Sequence, residues 1–372
     1  MAIIEYLEGG ILYENPKPHV HSRHGCFPGV VQLPSGDLLA LLVIAEAFEA
    51  PNGTTHVARS GDLGRTWQWE GPLYDKSILG FETTDTFKPT VLSNGTLIAA
   101  GYRFYRHDLE QGIGIPETGG ILPGDCVVAF SGNEGRTWSV PEVILRSRPE
   151  LLETSGPCLE LRSGDIVEVA ALFPMPDGTH PSGRLGVVLR SWDKAKTWDD
   201  RTVFYRSEKG NIIPYEPRVT QMEDGRLVVM VWAYDADAGA HHPNQVVVSH
   251  DDGRTWSGPI DTGHMGQASN LMSLGGDLLA TIHAHRGSDP GVYVRVVDFR
   301  GDRWNPLEEA VIYGAGSRRQ TRAGQAPSEM FTSLRFGQPS LLRLSSGEFL
   351  AYHWVIEDGQ GKIRLHRLRL AP

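Results

Sequence analysis

Apolar residues along this chain fall into paired short runs, each pair joined by a polar turn that contains glycine. Six such pairs occur: FPGVVQLPSGDLLALLVI, FKPTVLSNGTLIAAGYRF, GPCLELRSGDIVEVAAL, YEPRVTQMEDGRLVVMVWAY, ASNLMSLGGDLLATIHAH and GQPSLLRLSSGEFLAYHWV. Short apolar runs bounded by turn residues predict strands rather than helices. The turn glycines are Gly36, Gly95, Gly164, Gly225, Gly276 and Gly347. Their spacing, about 50 to 70 residues, suits one four-stranded sheet per copy. The pattern predicts an all-β chain folded as a six-bladed β-propeller.

A second repeat lies between these pairs. It reads S-x-D-x-G-x-T-W and occurs as SGDLGRTW (Ser60 to Trp67), SGNEGRTW (Ser131 to Trp138), SWDKAKTW (Ser191 to Trp198) and SHDDGRTW (Ser249 to Trp256). The second copy has Asn133 for the aspartate, and the third has Ala195 for the glycine. A decayed fifth copy, DFRGDRW, ends at Trp304. The chemistry is that of a hairpin turn. Asp or Asn accepts backbone N–H bonds, glycine takes a conformation closed to other residues, and tryptophan packs between sheets. After the last apolar pair, KIRLHRLRL supplies one more strand. The N-terminal IIEYLEGGILYE supplies another that closes the ring and removes an exposed edge. Residues 1–372 are therefore expected to form a single propeller domain. The longest irregular pieces, 103–124 and 314–337, are candidates for functional loops.

Composition agrees with many strands and tight turns: the chain has 43 glycines, 24 prolines and nine tryptophans. The formal net charge of -10 argues against nucleic acid as a partner. Cys26, Cys126 and Cys158 are too few for a disulfide framework. No apolar run reaches the roughly 18 residues a membrane helix needs, and the first residues lack the basic and apolar regions of a leader. These features predict a cytoplasmic protein with no membrane partner. No metal, phosphate-loop or cofactor motif is apparent, so no cofactor and no metal site are expected. The oligomeric state stays open.

If the strands of a blade run A to D outward from the axis, both repeated turns lie on one face. The other face carries the B–C loops, the starts of A strands and the ends of B strands. It gathers Arg23, His24, Asp85, Lys88, Glu153, Tyr215, Glu216, Arg218 and Gln338 from A strands, and Glu46, Arg103, Trp232, Tyr234, His285, Arg286 and Trp354 from B strands. Acids, cations and aromatic rings converging on one axis make a plausible sugar pocket, since hydroxyls need donors and acceptors and ring faces need apolar floors.

With these repeats the chain resembles the sialidase (neuraminidase) superfamily and its Asp-box, or BNR, repeats. The resemblance implies a tyrosine nucleophile assisted by a glutamate, an aspartate acid/base and three arginines that hold a carboxylate. Residue by residue, the glutamate matches Glu216 in EPRVTQMEDGRL, and the third arginine matches Arg286 in HAHRGSDPGVYV. The first arginine falls on Cys26, the second near Trp232 and the tyrosine near Gln338. The aspartate loop reads AFEAPNGTT, with Glu49 or Asn52 in its place. Displaced cations such as Arg23, Arg218 and Arg335 offer another route to an acidic sugar.

Glu216 and Asp85 are thus the candidate catalytic residues. Arg23, His24, Lys88, Arg103, Arg218, Trp232, Tyr234, His285, Arg286 and Gln338 are the candidate substrate contacts. Glu216 has Asp85, Glu153 and Glu46 as candidate carboxylate partners for two-carboxylate chemistry. The leading expectation is a sialidase-like, exo-acting glycoside hydrolase on an acidic or unusual sugar, with carbohydrate, including anionic carbohydrate, as its partner. Two alternatives stay open: an oligosaccharide lyase using His24, His285 or Tyr234, and a non-catalytic propeller that binds glycan or protein.

Overall fold

Each apolar pair becomes the two inner strands of a four-stranded antiparallel sheet. The computed structural model describes residues 3–314 and 333–371. The first blade comprises His24–Gln32, Leu38–Ala45, Thr54–Ser60 and Gln68–Pro72. The second comprises Thr83–Val91, Leu97–Tyr105, Gly124–Ser131 and Glu142–Ile144. In the third, the inner strand is broken into Leu152–Glu153 and Leu159–Glu160, both paired to Ile166–Leu172, with Gly186–Ser191 and Asp199–Tyr205 outside. The fourth is Ile212–Gln221, Leu227–Asp235, Gln245–Ser249 and Ile260–Asp261. The fifth is Ser269–Gly275, Leu278–His285, Gly291–Asp298 and Asn305–Gly314. The protein is an all-β, six-bladed propeller.

The sixth blade takes Phe336–Arg343, Phe349–Glu357 and Gln360–Leu370 from one end of the chain and Ile4–Tyr13 from the other. Ile4 lies opposite Leu370 and Tyr13 opposite Ile363. Glu8 reinforces the seam by accepting from Arg367 at 2.8 Å.

The second strands read as continuous apolar runs because both of their faces are covered by neighbouring blades. All eight residues of Leu38–Ala45 and all nine of Leu227–Asp235 are buried. Burying a leucine is worth about 1.5–3 kcal/mol, so these strands hold adjacent sheets together. The A–B turns demand glycine for backbone reasons alone: at Gly36, φ is +96° and nothing lies within 4 Å of an added Cβ.

The four Ser-x-Asp/Asn turns are hydrogen-bond knots. Asp62 accepts from the backbone N–H groups of Arg65 and Thr66, while its second oxygen takes the Thr66 hydroxyl at 2.6 Å. Asp193 and Asp251 repeat this pattern, and Asn133 accepts from Thr137 N while donating to the Thr137 hydroxyl. Burial pushes the Asp62 pKa up, but its hydrogen bonds outweigh that and bring it to about 2. The threonine bonds lead at Asp193 and Asp251, which also fall to about 2. One expectation needs correction. Glycine is not obligatory in this turn, because Ala195 is fully buried and adopts φ +68°. Its N–H still reaches Ser191 Oγ at 2.9 Å and its carbonyl still accepts from Trp198, which hold the strained turn in place.

Of the two long loops, 103–124 folds back as a small hairpin pairing Gly114–Ile115 with Gly120–Ile121. Within the other, residues 315–332 lie outside the described residues. Among the described residues no helix is long and apolar enough to cross a membrane.

Candidate functional site

Three inner strands share a local distortion. The ladder slips between Cys26 and Gly29, between Tyr215 and Arg218, and between Gly337 and Ser340. At each slip a residue preceding proline takes a positive φ: Phe27 at 52°, Glu216 at 43° and Gln338 at 42°. Proline is tolerated there because the strand is the innermost edge and its missing N–H breaks no ladder bond. A bulge re-aims its side chain, and Phe27, Glu216 and Gln338 all line one cavity. Non-glycine residues at positive φ cost about 1–3 kcal/mol each and cluster at functional sites.

That cavity lies on the propeller axis and draws residues from all six blades. Its volume is about 280 Å³, close to the roughly 300 Å³ lower bound of small-ligand pockets. The walls are aromatic: Phe48 and Trp354 pack at 5.1 Å, and Tyr215 lies 5.3 Å from Trp232 and 6.2 Å from Tyr234. The Trp232 indole N–H donates to His241 Nδ1 at 2.9 Å, which fixes the ring.

Two carboxyl groups from adjacent blades meet at this cavity. Glu153 Oε2 accepts from the backbone N–H of Glu216 at 2.9 Å, so the third blade holds the strained bulge of the fourth. Burial pushes the Glu153 pKa up, and the neighbouring Glu216 charge pushes it further. Glu216 Oε2 lies 3.7 Å from Arg218 Nη2 and has no hydrogen-bond donor within reach. Arg286 also lines the cavity; burial pulls its pKa down to about 10 and Glu216 opposes that fall. Its guanidinium donates from Nε and Nη2 to the Phe336 carbonyl. The arrangement couples a carboxyl that favours its protonated form to a carboxylate beside cations, as acid/base chemistry requires.

Of the expected site residues, Asp85, Glu216, Trp232, Tyr234, Arg286 and Gln338 line the cavity. Asp85, however, is fully engaged: Tyr74 donates to one oxygen at 2.7 Å and Thr55 N to the other at 3.2 Å. Burial pushes its pKa up, opposed by Lys76 and Tyr74. The other expected contacts lie elsewhere. Lys88 sits beneath the cavity, its ammonium saturated by the carbonyls of Phe27 and Pro28 and by Gln338 Oε1. Arg218 lines the axial channel below and donates to Ser155 Oγ and Pro217 O. Arg103 pairs with Asp125 at 3.3 Å. His24 Nδ1 accepts from Gly361 N and so links the first and sixth blades. His285 Nδ1 contacts Met265 O at 3.0 Å. Arg23 belongs to a separate cleft between those two blades.

Glu153 was legible as an acid at the start of an A strand and as one of three partners for Glu216, with nothing in the sequence to rank it above Asp85 and Glu46. Tyr102, His180 and Arg184 also line the cavity and carry no sequence signal beyond their place near strand ends or in a loop.

No family model matches the chain, and no curated protein matches it in sequence. Solved structures do match. A protein of unknown function from Dyadobacter fermentans superposes with a TM-score of 0.76 at 18% identity, covering 100% of both chains. An α-L-arabinanase from Penicillium chrysogenum, solved with arabinobiose, matches with a TM-score of 0.66 at 15% identity, covering 98% of this chain and 99% of its own. A Hadza microbial sialidase matches with a TM-score of 0.65 at 19% identity, covering 96% of this chain and 68% of its own. At these identities the likeness is one of fold: the chain is built as those six-bladed propellers are.

Proposed function

We propose that the protein is an exo-acting glycoside hydrolase whose reaction centre is the Glu153–Glu216 pair. The observation that carries the reading is that pair itself: two carboxyls joined through a backbone hydrogen bond at an aromatic cavity, one of them pushed toward its protonated form. Glu153 donates a proton to the leaving oxygen. Glu216 acts on the opposite side of the anomeric carbon, as nucleophile or as base for water, beside Arg218 and Arg286. This is the two-carboxylate scheme of most glycoside hydrolases. It is favoured over the tyrosine route because Gln338 stands at the position where the family resemblance places the tyrosine. Asp85 then serves as a positioning residue that ties the first and second blades together.

The small axial cavity suits a single terminal ring, hence exo action. The fold likeness to an arabinanase and to sialidases supports carbohydrate as substrate, and Arg286 supports an acidic or polar sugar. Elimination has less support: of its candidate bases only Tyr234 lines the cavity, His24 and His285 lying outside it with Nδ1 engaged, and it leaves the Glu153–Glu216 pair without a role. We further infer that the whole chain works as one unit, because its first strand completes the sheet that holds its last. Turnover of fluorogenic sialosides, uronides, arabinofuranosides and rhamnosides tests the reading. Release from any of them, abolished in Glu216→Gln and in Glu153→Gln, is the expected result; no release from any member overturns it.

A further inference from the structure

The geometry points to a second saccharide-binding site in the cleft between the first and sixth blades, one that takes the distal part of a carbohydrate chain. The choice of a saccharide as occupant rests on the reading of the central cavity; the cleft's form does not. The cleft encloses about 970 Å³ and shares Ala45 with the central cavity, so the two adjoin across the B–C loop of the first blade.

Its floor is aromatic. Trp69, on the outermost strand of the first blade, leaves 46% of its surface exposed. The ring stacks on His56 at 4.6 Å and 30°, and Tyr13 lies against it at 5.4 Å. Burial, then the charges of Arg23 and Lys76, pull the His56 pKa down to about 4. At neutral pH the stack is therefore an uncharged π-surface. A large, open aromatic surface beside polar groups is the form a sugar ring needs, an apolar floor with donors and acceptors at its rim.

The rim supplies both. Arg23 and Glu46 are exposed and line the cleft. Neither side chain has a hydrogen bond or ion pair among the described residues, which leaves one cation and one carboxylate for hydroxyl groups. The Glu46 backbone is already fixed: Ser22 Oγ, next to Arg23, donates to Glu46 O at 2.7 Å and Glu46 N donates to Asn52 Oδ1 at 3.2 Å. A rim ordered in advance reduces the entropy lost on binding. Arg23, which lies outside the central cavity, has its role here.

The test is affinity electrophoresis of the full chain through native gels containing linear arabinan or polygalacturonate. At least one polymer is expected to retard the protein. Trp69→Ala is expected to weaken that retardation about tenfold and Arg23→Ala by a smaller factor, while Trp69→Phe retains most of it. Glu216→Gln is expected to remain retarded whether or not the protein hydrolyses glycosides, which separates this inference from the proposed reaction. Should Trp69→Ala fail to fold, judged by circular dichroism, Arg23→Ala and Trp69→Phe decide. Wild-type migration by both Trp69→Ala and Arg23→Ala, or no retardation of the native chain by either polymer, overturns the proposal.

Discussion

The two ends of the propeller are built from the same strands but hold their carboxyl groups in opposite ways. At the turn end, Asp62, Asp193 and Asp251 accept several short-range hydrogen bonds each, and their pKa values fall to about 2. At the cavity end, Glu153 is buried beside Glu216 with its pKa pushed up, and Glu216 sits on a strained bulge with one oxygen lacking a hydrogen bond. Local bonds that engage both carboxylate oxygens make a staple. Burial with incomplete satisfaction makes a reactive group, at a cost in stability that the rest of the fold must offset.

The largest expected effect comes from breaking the cavity end. Glu216→Gln should lower kcat about a thousandfold, within the range for a lost acid/base group, with little change in melting temperature. Glu153→Gln should lower kcat by about a hundredfold and remove the alkaline limb of the pH profile, because that limb reports deprotonation of Glu153. Both are checked by steady-state kinetics across pH 4–10 on a glycoside that the protein turns over.

Stability should respond to pH with opposite sign for a buried acid and for the turn aspartates. Glu168, buried in the third blade against the Cys158 thiol, has its pKa pushed up to about 8 by burial, which the Cys158 hydrogen bond and the Arg218 charge oppose. A carboxyl whose folded pKa is raised binds its proton more tightly when folded. Stability is therefore full below the unfolded value, roughly 4.3, and declines as pH rises through about 8. Glu168→Gln should flatten that decline when melting temperatures at pH 5 and pH 9 are compared. The turn aspartates behave in reverse, contributing above the unfolded value and losing that contribution as pH falls through about 2.

Disrupting a staple should cost less than disrupting the centre. Asp62→Ala removes two backbone bonds and two hydroxyl bonds at a solvent-facing turn. Solvent screens that loss, so about 1–2 kcal/mol of stability should go with turnover unchanged, as denaturant unfolding and kinetics would show together. Asn133→Asp, which restores the residue of the other turns, should shift stability by no more than about 0.5 kcal/mol.

How legible the molecule was depended on the range of the interactions involved. The six A–B turns, the four polar turns and the outer strand given by the N-terminus were readable because each rests on a few neighbouring residues or on strict repetition. Glu216 was readable as a strand-start acid before proline. Its partner was not singled out, because the Glu153 side chain meets the Glu216 backbone only through packing of one blade on the next. Lys88, Arg103 and Arg218 looked like substrate contacts by their strand positions, yet their cationic groups turn toward carbonyls, Asp125 and Ser155.

The sequence by itself determined that this protein is a ring of six four-stranded sheets with a repetitive end and a polar, aromatic end. Periodicity and turn chemistry are local, so they survive in one dimension. Only the tertiary structure decided which acids share a cavity, which cations are already bound, and that Arg23 belongs to a cleft beside the axis. Those outcomes depend on side-chain direction at bulges and on contacts between blades dozens of residues apart, which no spacing along the chain records.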